Sequence, residues 1–274
     1  MENKVYLRKS VVLMATLFIA NVGNLQAAPS FDGPSSVPKY HPLCLPELKN
    51  WEEDGGAFDM QKCASNKRQS EVSKTSEGAY YAQRADGAPG YMAYKPIGSL
   101  DGSMELLLVY DKKSHNPLTS IYFLGRIPGA ELTRDFLTTI EDGGDRCMGG
   151  VNAARLISAS ELEVDINATV RKMLTFLDGD EDEEVDTATL SFKPGNYQAF
   201  ACAGTITKTY NLIDNKMHYS RVSFTRDESR KQIDKSSRCY DRVVADHLSP
   251  PRVLDMDQYQ GFLETYRQQC GSIR

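Results

Sequence analysis

Signatures of catalysis are scarce in this chain. It holds four histidines, His41, His115, His218 and His247, and a single tryptophan, Trp51. No two histidines stand at the i, i+4 spacing that puts a metal pair on one helix face, and H-E-x-x-H does not occur. A nucleophile elbow is missing: Gly98-Ser99-Leu100-Asp101-Gly102 sets its Ser one place early and reads as a turn. Neither G-x-G-x-x-G nor G-x-x-x-x-G-K-[ST] is present, so nothing marks a dinucleotide site or a phosphate-binding loop. No C-x-x-C occurs, which removes the zinc ribbon and the thioredoxin-like redox pair. Clustered Lys and Arg, the footprint of nucleic-acid binding, are lacking as well. Beyond the N-terminus no apolar run approaches the roughly 20 residues that span a bilayer.

The N-terminus is what those absences throw into relief. Lys4, Arg8 and Lys9 precede an apolar stretch, Val11 to Ala20, and Leu25-Gln26-Ala27-Ala28 follows with small residues for cleavage. Positive start, short apolar centre and small-residue end are the order of a secretory signal. Cleavage after Ala27 is expected, since a cut after Ala28 would leave Pro29 beside it. No Cys lies there to carry a lipid, and the mature chain, residues 28–274, is expected to have no integral membrane segment. Losing three of 32 basic and one of 37 acidic residues moves the net charge from −5 to about −7. The bacterial periplasm or the cell exterior is the expected location.

All six cysteines, Cys44, Cys63, Cys147, Cys202, Cys239 and Cys270, lie beyond the signal. An even number in an exported chain reads as disulfides, and six permit about 15 connectivities. Short loops close most easily, which favours Cys44–Cys63, Cys147–Cys202 and Cys239–Cys270.

The fold is expected to be α+β, a mainly antiparallel sheet with helices packed on one side, stapled by disulfides, in one mature domain over 28–274. Residues 44–63 read as a helical hairpin closed by its two cysteines and anchored by Trp51. Residues 64–78 are polar and read as a loop. Strand patterns follow, with hairpins over Ala79–Tyr94 and Met104–Leu124. Leu106, Leu107 and Leu108 are consecutive, as in a strand buried on both faces. Ala130 to Asp142 reads as a helix, because Leu132, Phe136, Leu137 and Ile140 recur at helical spacing. Val151–Ile157 reads as a strand. Leu162, Val164, Ile166 and Ala168 alternate with Glu163, Asp165 and Asn167, as in a half-buried strand. Thr169 is placed to cap a short helix. A strand is expected over Thr187–Phe192 and a hairpin over Phe200–Phe224. Two helices close the chain, over Arg238–His247 and, behind an Asp255-x-x-Gln258 capping box, over the stretch that ends near Cys270.

Residues 145–235 hold a faint internal similarity. Cys147-Met-Gly149 and Cys202-Ala-Gly204 each open a strand–turn–strand stretch ending in Thr, at Thr169 and Thr225. Two copies of a strand–turn–strand–helix unit are one reading; chance is the rival, since only C-x-G and the terminal Thr match.

Two weak sites complete the reading. Asp178, Asp180 and Asp182 have the 1-3-5 spacing of a calcium loop, but Glu183 stands where the turn needs Gly and Thr189 where a bidentate Glu belongs. A solvated acidic loop accounts for the segment more simply. His218, beside Tyr219 and Arg221, is the one histidine worth testing for catalysis; an ordinary strand residue is the plainer reading.

The expected function is therefore that of a non-enzymatic binding protein of inhibitor or immunity type. Its partner would be a protein, basic to match an acidic chain, with no nucleic acid and no cofactor. A secreted hydrolase with an unrecognised carboxylate or His site, and a structural or assembly factor of the cell envelope, stay open as alternatives.

Overall fold

In a computed structural model the chain folds around two antiparallel sheets. The described residues are 40–48, 59–67, 70–84, 90–100, 104–113, 117–127, 134–141, 143–144, 146–178, 202–225 and 235–271. The signal expected over residues 1–27, Trp51, His115, Asp180, Asp182 and the strand expected over Thr187–Phe192 lie outside them.

The first sheet is a meander of β1 (Val72–Lys74), β2 (Tyr80–Gln83), β3 (Tyr91–Leu100), β4 (Met104–Lys112), β5 (Leu118–Ile127) and β6 (Arg134–Glu141), each paired with its neighbours in sequence. Strand β4 explains why both faces are covered. Its run Leu106–Val109 is buried throughout, and successive strand residues point to opposite faces. Leu107 and Val109 join Tyr94, Tyr122 and Leu124 against the N-terminal segment. Leu106 and Leu108 join Ile121 against the second sheet.

The N-terminal segment is a small clip. A 3-10 turn, Pro42–Cys44, leads into helical residues 45–48, and α1 (Met60–Asn66) returns beside it through the Cys44–Cys63 bridge. Asp59 caps α1, its side chain accepting from the amides of Gln61 and Lys62. His41 Nδ1 accepts from the Leu43 amide at 3.2 Å, which leaves Nε2 to donate to the Ser70 carbonyl at 3.1 Å. The Tyr94 hydroxyl donates to the Tyr40 carbonyl at 3.0 Å and accepts from its amide at 3.2 Å. These bonds seat the clip on β3.

The second sheet has the order β11-β10-β9-β8-β7, built from β7 (Val151–Leu156), β8 (Glu161–Ala168), β9 (Gly204–Asn211), β10 (Lys216–Phe224) and β11 (Val253–Asp255). One face is apolar. Val164 and Ile166 meet Leu106, Leu108 and Ile121 of the first sheet. On the same face Ile206 pairs with Ile166, and Val222 with Ile206. These continue the surface toward α2 (Val170–Thr175), α3 (Lys235–His247) and α4 (Met256–Cys270). The sheets approach closely where Leu156 lies over Gly98; a Cβ at Gly98 would stand 2.3 Å from Leu156 Cδ1, so a larger residue there would have to displace the Leu156 side chain.

Thr169 caps α2 through the Lys172 amide, and the Asp255–Gln258 capping box opens α4. Tyr259, Phe262, Leu263 and Tyr266 form the buried face of α4. Phe176 stacks on Tyr259 at 5.3 Å between ring centroids, and Phe224 meets Phe262 edge-on at 4.8 Å. Cys239–Cys270 ties α3 to α4, and Cys147–Cys202 ties the approach to β7 to that of β9. The order β7–β8–α2 and then β9–β10–α3 runs strand, strand, helix twice, with the two hairpins side by side in the sheet.

The architecture is α+β, each group of helices lying on one face of its own sheet. One element differs in kind from the sequence expectation: where helical spacing predicts a helix over Ala130–Asp142, the chain forms β6, paired with β5 from Ile121↔Glu141 to Ile127↔Arg134. Phe136, Thr138, Thr139 and Ile140 are good strand formers, and Phe136, Thr138 and Ile140 also fit a period of two. The open edge of β5 supplies a ladder of hydrogen bonds that an isolated helix there would forgo. Two short strands also lay below the sequence signal: β1, inside the polar loop 64–78, and β11, directly after Pro250-Pro251 and Arg252.

Candidate functional site

Two features meet at the start of β7. The first is the loop between the sheets, Gly143 to Gly150. Its glycines are required by close backbone approach. A Cβ on Gly144 would lie 1.7 Å from the Met148 carbonyl oxygen, one on Gly150 would lie 2.4 Å from that of Arg146, and Gly149 has φ +89°. The loop is bonded at both ends. The Gly144 carbonyl accepts from the Thr119 amide at 3.2 Å, and the Gly144 amide donates to Gly149 at 2.9 Å. Gly149 and Gly150 exchange bonds with Asn167 at 3.1 and 2.9 Å. The Val151 amide donates to Thr119 Oγ1 at 2.6 Å.

Arg146, at φ 40°, is held in the left-handed region that side chains rarely occupy. Its neighbour Cys147 is bonded to Cys202. Beside this loop is a cavity of about 310 Å³. Tyr110, Pro117 and Thr119 wall it from the first sheet, and Arg146, Asn152 and Asn167 from the second. Burial raises the Tyr110 hydroxyl above the ordinary tyrosine range, and the negative charge of Glu77 adds to that.

The second feature is the other face of the second sheet. Glu163, Asp165 and Asn167 of β8 lie on it, opposite Thr209, Thr207 and Thr205 of β9, with Arg155 across from Glu163 and Arg221 across from Thr207. Arg155 bonds Glu163 and reaches Asp165 at 3.7 Å. Arg221 reaches the same two carboxylates at 3.3 and 3.5 Å. Thr207, itself buried, donates to Asp165 at 2.6 Å. Two arginines thus share two carboxylates over a floor of threonine, and Arg155 and the nearby His218 remain exposed. Asn167 belongs both to this face and to the cavity wall.

Comparisons with protein-family models, with curated proteins and with solved structures find no match. The site must therefore be read from its own geometry.

The sequence-derived candidates do not converge. The six cysteines form Cys44–Cys63, Cys147–Cys202 and Cys239–Cys270. Asp178 faces Arg267 at 3.7 Å, an ion pair rather than a ligand set. Among the described residues no three of His, Cys, Asp and Glu stand together as a metal site. His218 pairs with Thr209 in the β9–β10 ladder and is exposed, while the two ring nitrogens of His41 serve the N-terminal clip.

Sequence reasoning missed two groups. Arg146 carried a signal in the four glycines that bracket it within Gly143–Gly150. Glu141 and Lys208 carried a fainter one. Lys208 is the charged residue at an inward position of β9, in line with Ile206 and Tyr210. It bonds the buried Glu141 of β6 at 3.2 and 3.3 Å, and the Tyr210 hydroxyl donates to the same carboxylate. This cluster joins the two sheets.

Proposed function

We propose that this protein is exported and acts by binding another protein through the polar face of its second sheet, without catalysing a reaction. The observation that carries this reading is the shared ionic lattice of Arg155, Glu163, Arg221 and Asp165. Its side chains are fixed before any partner arrives, so a partner docking on them meets a lower ordering cost than on free lysines and glutamates. Strands carry the lattice, and strands hold geometry better than loops. Three disulfides support an oxidising destination, and among the described residues no helix is long and apolar enough to cross a membrane. The acidic balance of the chain favours a basic partner and a salt-sensitive encounter.

The test is capture on immobilised residues 28–274, from envelope and culture extracts, at low and high salt. A double variant, Glu161→Lys with His218→Ala, alters the face without touching the lattice. One basic protein held by the wild type, released by salt and not held by the variant would support the reading. Identical bound sets for wild type and variant would refute it, provided thermal melting shows both folded.

A further inference from the structure

We propose that the cavity beside the Gly143–Gly150 loop is a carboxylate-binding site, shaped for an acid group carried on a short apolar residue, as at the C-terminus of a polypeptide. The assignment does not depend on the sheet face being a docking surface.

The argument begins with charge. Arg146 is the cation of the cavity wall, and no acidic residue lines it among the described residues. Elsewhere the described arginines satisfy themselves where a carboxylate is near: Arg84 on Asp111, Arg155 and Arg221 on Glu163 and Asp165, Arg267 on Asp178. Arg146 is exposed at the rim and makes no such pair among the described residues. A guanidinium presents five donors in a fork matched to a carboxylate, and a pairing of that kind is strongest where water is partly excluded. Asn152 and Asn167 contribute amides that can supply further donors, and the Tyr110 hydroxyl, protonated at neutral pH like any tyrosine, is another.

Rigidity is the second strand of the argument. The left-handed Arg146 lies between the bonded Gly144 and the Cys147–Cys202 bridge, and Gly150 packs against its backbone. A non-glycine residue at positive φ is strained, because its Cβ crowds the neighbouring carbonyl oxygen. The loop keeps an arginine there when asparagine or glycine would fit more easily. That choice needs a reason outside the backbone, and a charged ligand supplies one.

Shape decides the apolar part. Pro117 and Val151 line the same cavity, and the two segments that form its walls carry the exposed side chains Leu118 and Met148. A volume near 310 Å³ takes one or two residues of a peptide, far less than a folded segment. A small carboxylate with a compact hydrophobic group matches polar donors on one side and apolar walls on the other.

Residues 28–274, labelled with nitrogen-15, would be titrated with N-acetyl-leucine, with N-acetyl-leucine amide, and with a tetrapeptide ending in leucine as free acid or amide. The expected result is saturable movement of the Gly149, Gly150, Asn152 and Asn167 amide signals with the acids, at least ten times weaker with the amides. Arg146→Gln should lose at least ten-fold in affinity, and Arg146→Lys should recover part of it. If the tetrapeptide acid binds well above the acetylated amino acid, the natural ligand is a polypeptide C-terminus; equal affinities point to a free small acid. Equal binding of acids and amides, unchanged affinity in Arg146→Gln, or no movement up to about 20 mM acid, weaker than a typical weak complex, would overturn the proposal. Unshifted signals elsewhere in the variant spectra show that the fold is kept.

Discussion

The two sheets of this protein solve the same problem in opposite ways. Strand β4 of the first sheet (MELLLVYDK) is apolar at consecutive positions, because the N-terminal clip covers one face and the second sheet the other. Strand β8 of the second sheet (ELEVDINA) alternates without a break, burying Leu162, Val164, Ile166 and Ala168 and turning Glu161, Glu163, Asp165 and Asn167 to the opposite face. The first sheet is spent on stability. The second spends half of its surface on packing and keeps the other half for polar chemistry. Function, on this comparison, is to be sought on the second sheet and where it meets the first.

The covalent ties sharpen the contrast. Cys44–Cys63 closes 19 residues of the first sheet's clip, whereas Cys147–Cys202 closes 55 across the second sheet. In the chain-entropy model the longer loop stabilises by about 4 kcal/mol and the shorter by about 3. Replacing Cys147 and Cys202 together by Ala should therefore lower the unfolding free energy more than replacing Cys44 and Cys63. Urea titration of the two double variants decides the order; the reverse order would mean that the clip is the keystone.

Packing gives the next largest effect. Leu107→Ala removes a fully buried side chain between the first sheet and the clip and should cost about 3 kcal/mol. Glu163→Ala on the outer face of the second sheet should cost about 1 kcal/mol or less, as partly exposed ion pairs generally do. Thermal melts of both variants measure the difference between an interior strand and a half-buried one. Similar losses would show that the ionic lattice is itself a core.

Most of this division was legible in residue order, and the exceptions have physical causes. The consecutive leucines of β4 and the strict alternation of β8 announce two-sided and one-sided burial in the sequence itself. Thr169, Asp255 and Gln258 announced their helix starts, because capping is local chemistry. Strand β6 was misread because Phe136 and Ile140 fit a period of four as well as a period of two, and only the waiting edge of β5 decides between them. The cavity was illegible for a different reason. Tyr110, Arg146 and Asn167 are brought together by the crossing of two sheets, and no spacing rule records that. The glycines around Arg146 marked a tight loop without saying what it faces.

Between the sheets lies the Glu141–Lys208–Tyr210 cluster, and it tests whether their contact is specific or merely greasy. Lys208→Met leaves the buried Glu141, among the described residues, with the Tyr210 hydroxyl alone and should destabilise by about 2 kcal/mol, less than a wholly buried pair because Lys208 keeps some solvent. Adding Glu141→Leu should return most of that loss, since an apolar pair of similar size removes the stranded charge. Chemical denaturation of the single and double variants gives the coupling. A double variant less stable than Lys208→Met alone would make the cluster a determinant of how the sheets seat on each other.

The smallest effect compares the two cores through their tyrosines. Tyr94 in the first sheet and Tyr259 under the second are both almost wholly buried. Burial pushes each hydroxyl well above the ordinary tyrosine range; for Tyr94 the bond to Tyr40 opposes this, and for Tyr259 the charge of Arg267 does. In the unfolded chain both ionise near pH 10. Above that pH the unfolded chain has released protons that the folded one still holds, so stability falls as pH rises, by about 1.4 kcal/mol per pH unit for each tyrosine that stays protonated. Below pH 10 neither contributes any slope. Tyr94→Phe should flatten this alkaline loss but also release Tyr40 and loosen the clip, since its hydroxyl both gives and takes a hydrogen bond there. Tyr259→Phe should flatten the loss with no such penalty, because the Tyr259 hydroxyl has no hydrogen-bond partner among the described residues. Tyrosinate absorbance and unfolding followed together above pH 10 separate the two, and equal behaviour of the variants would mean that the clip does not depend on Tyr94.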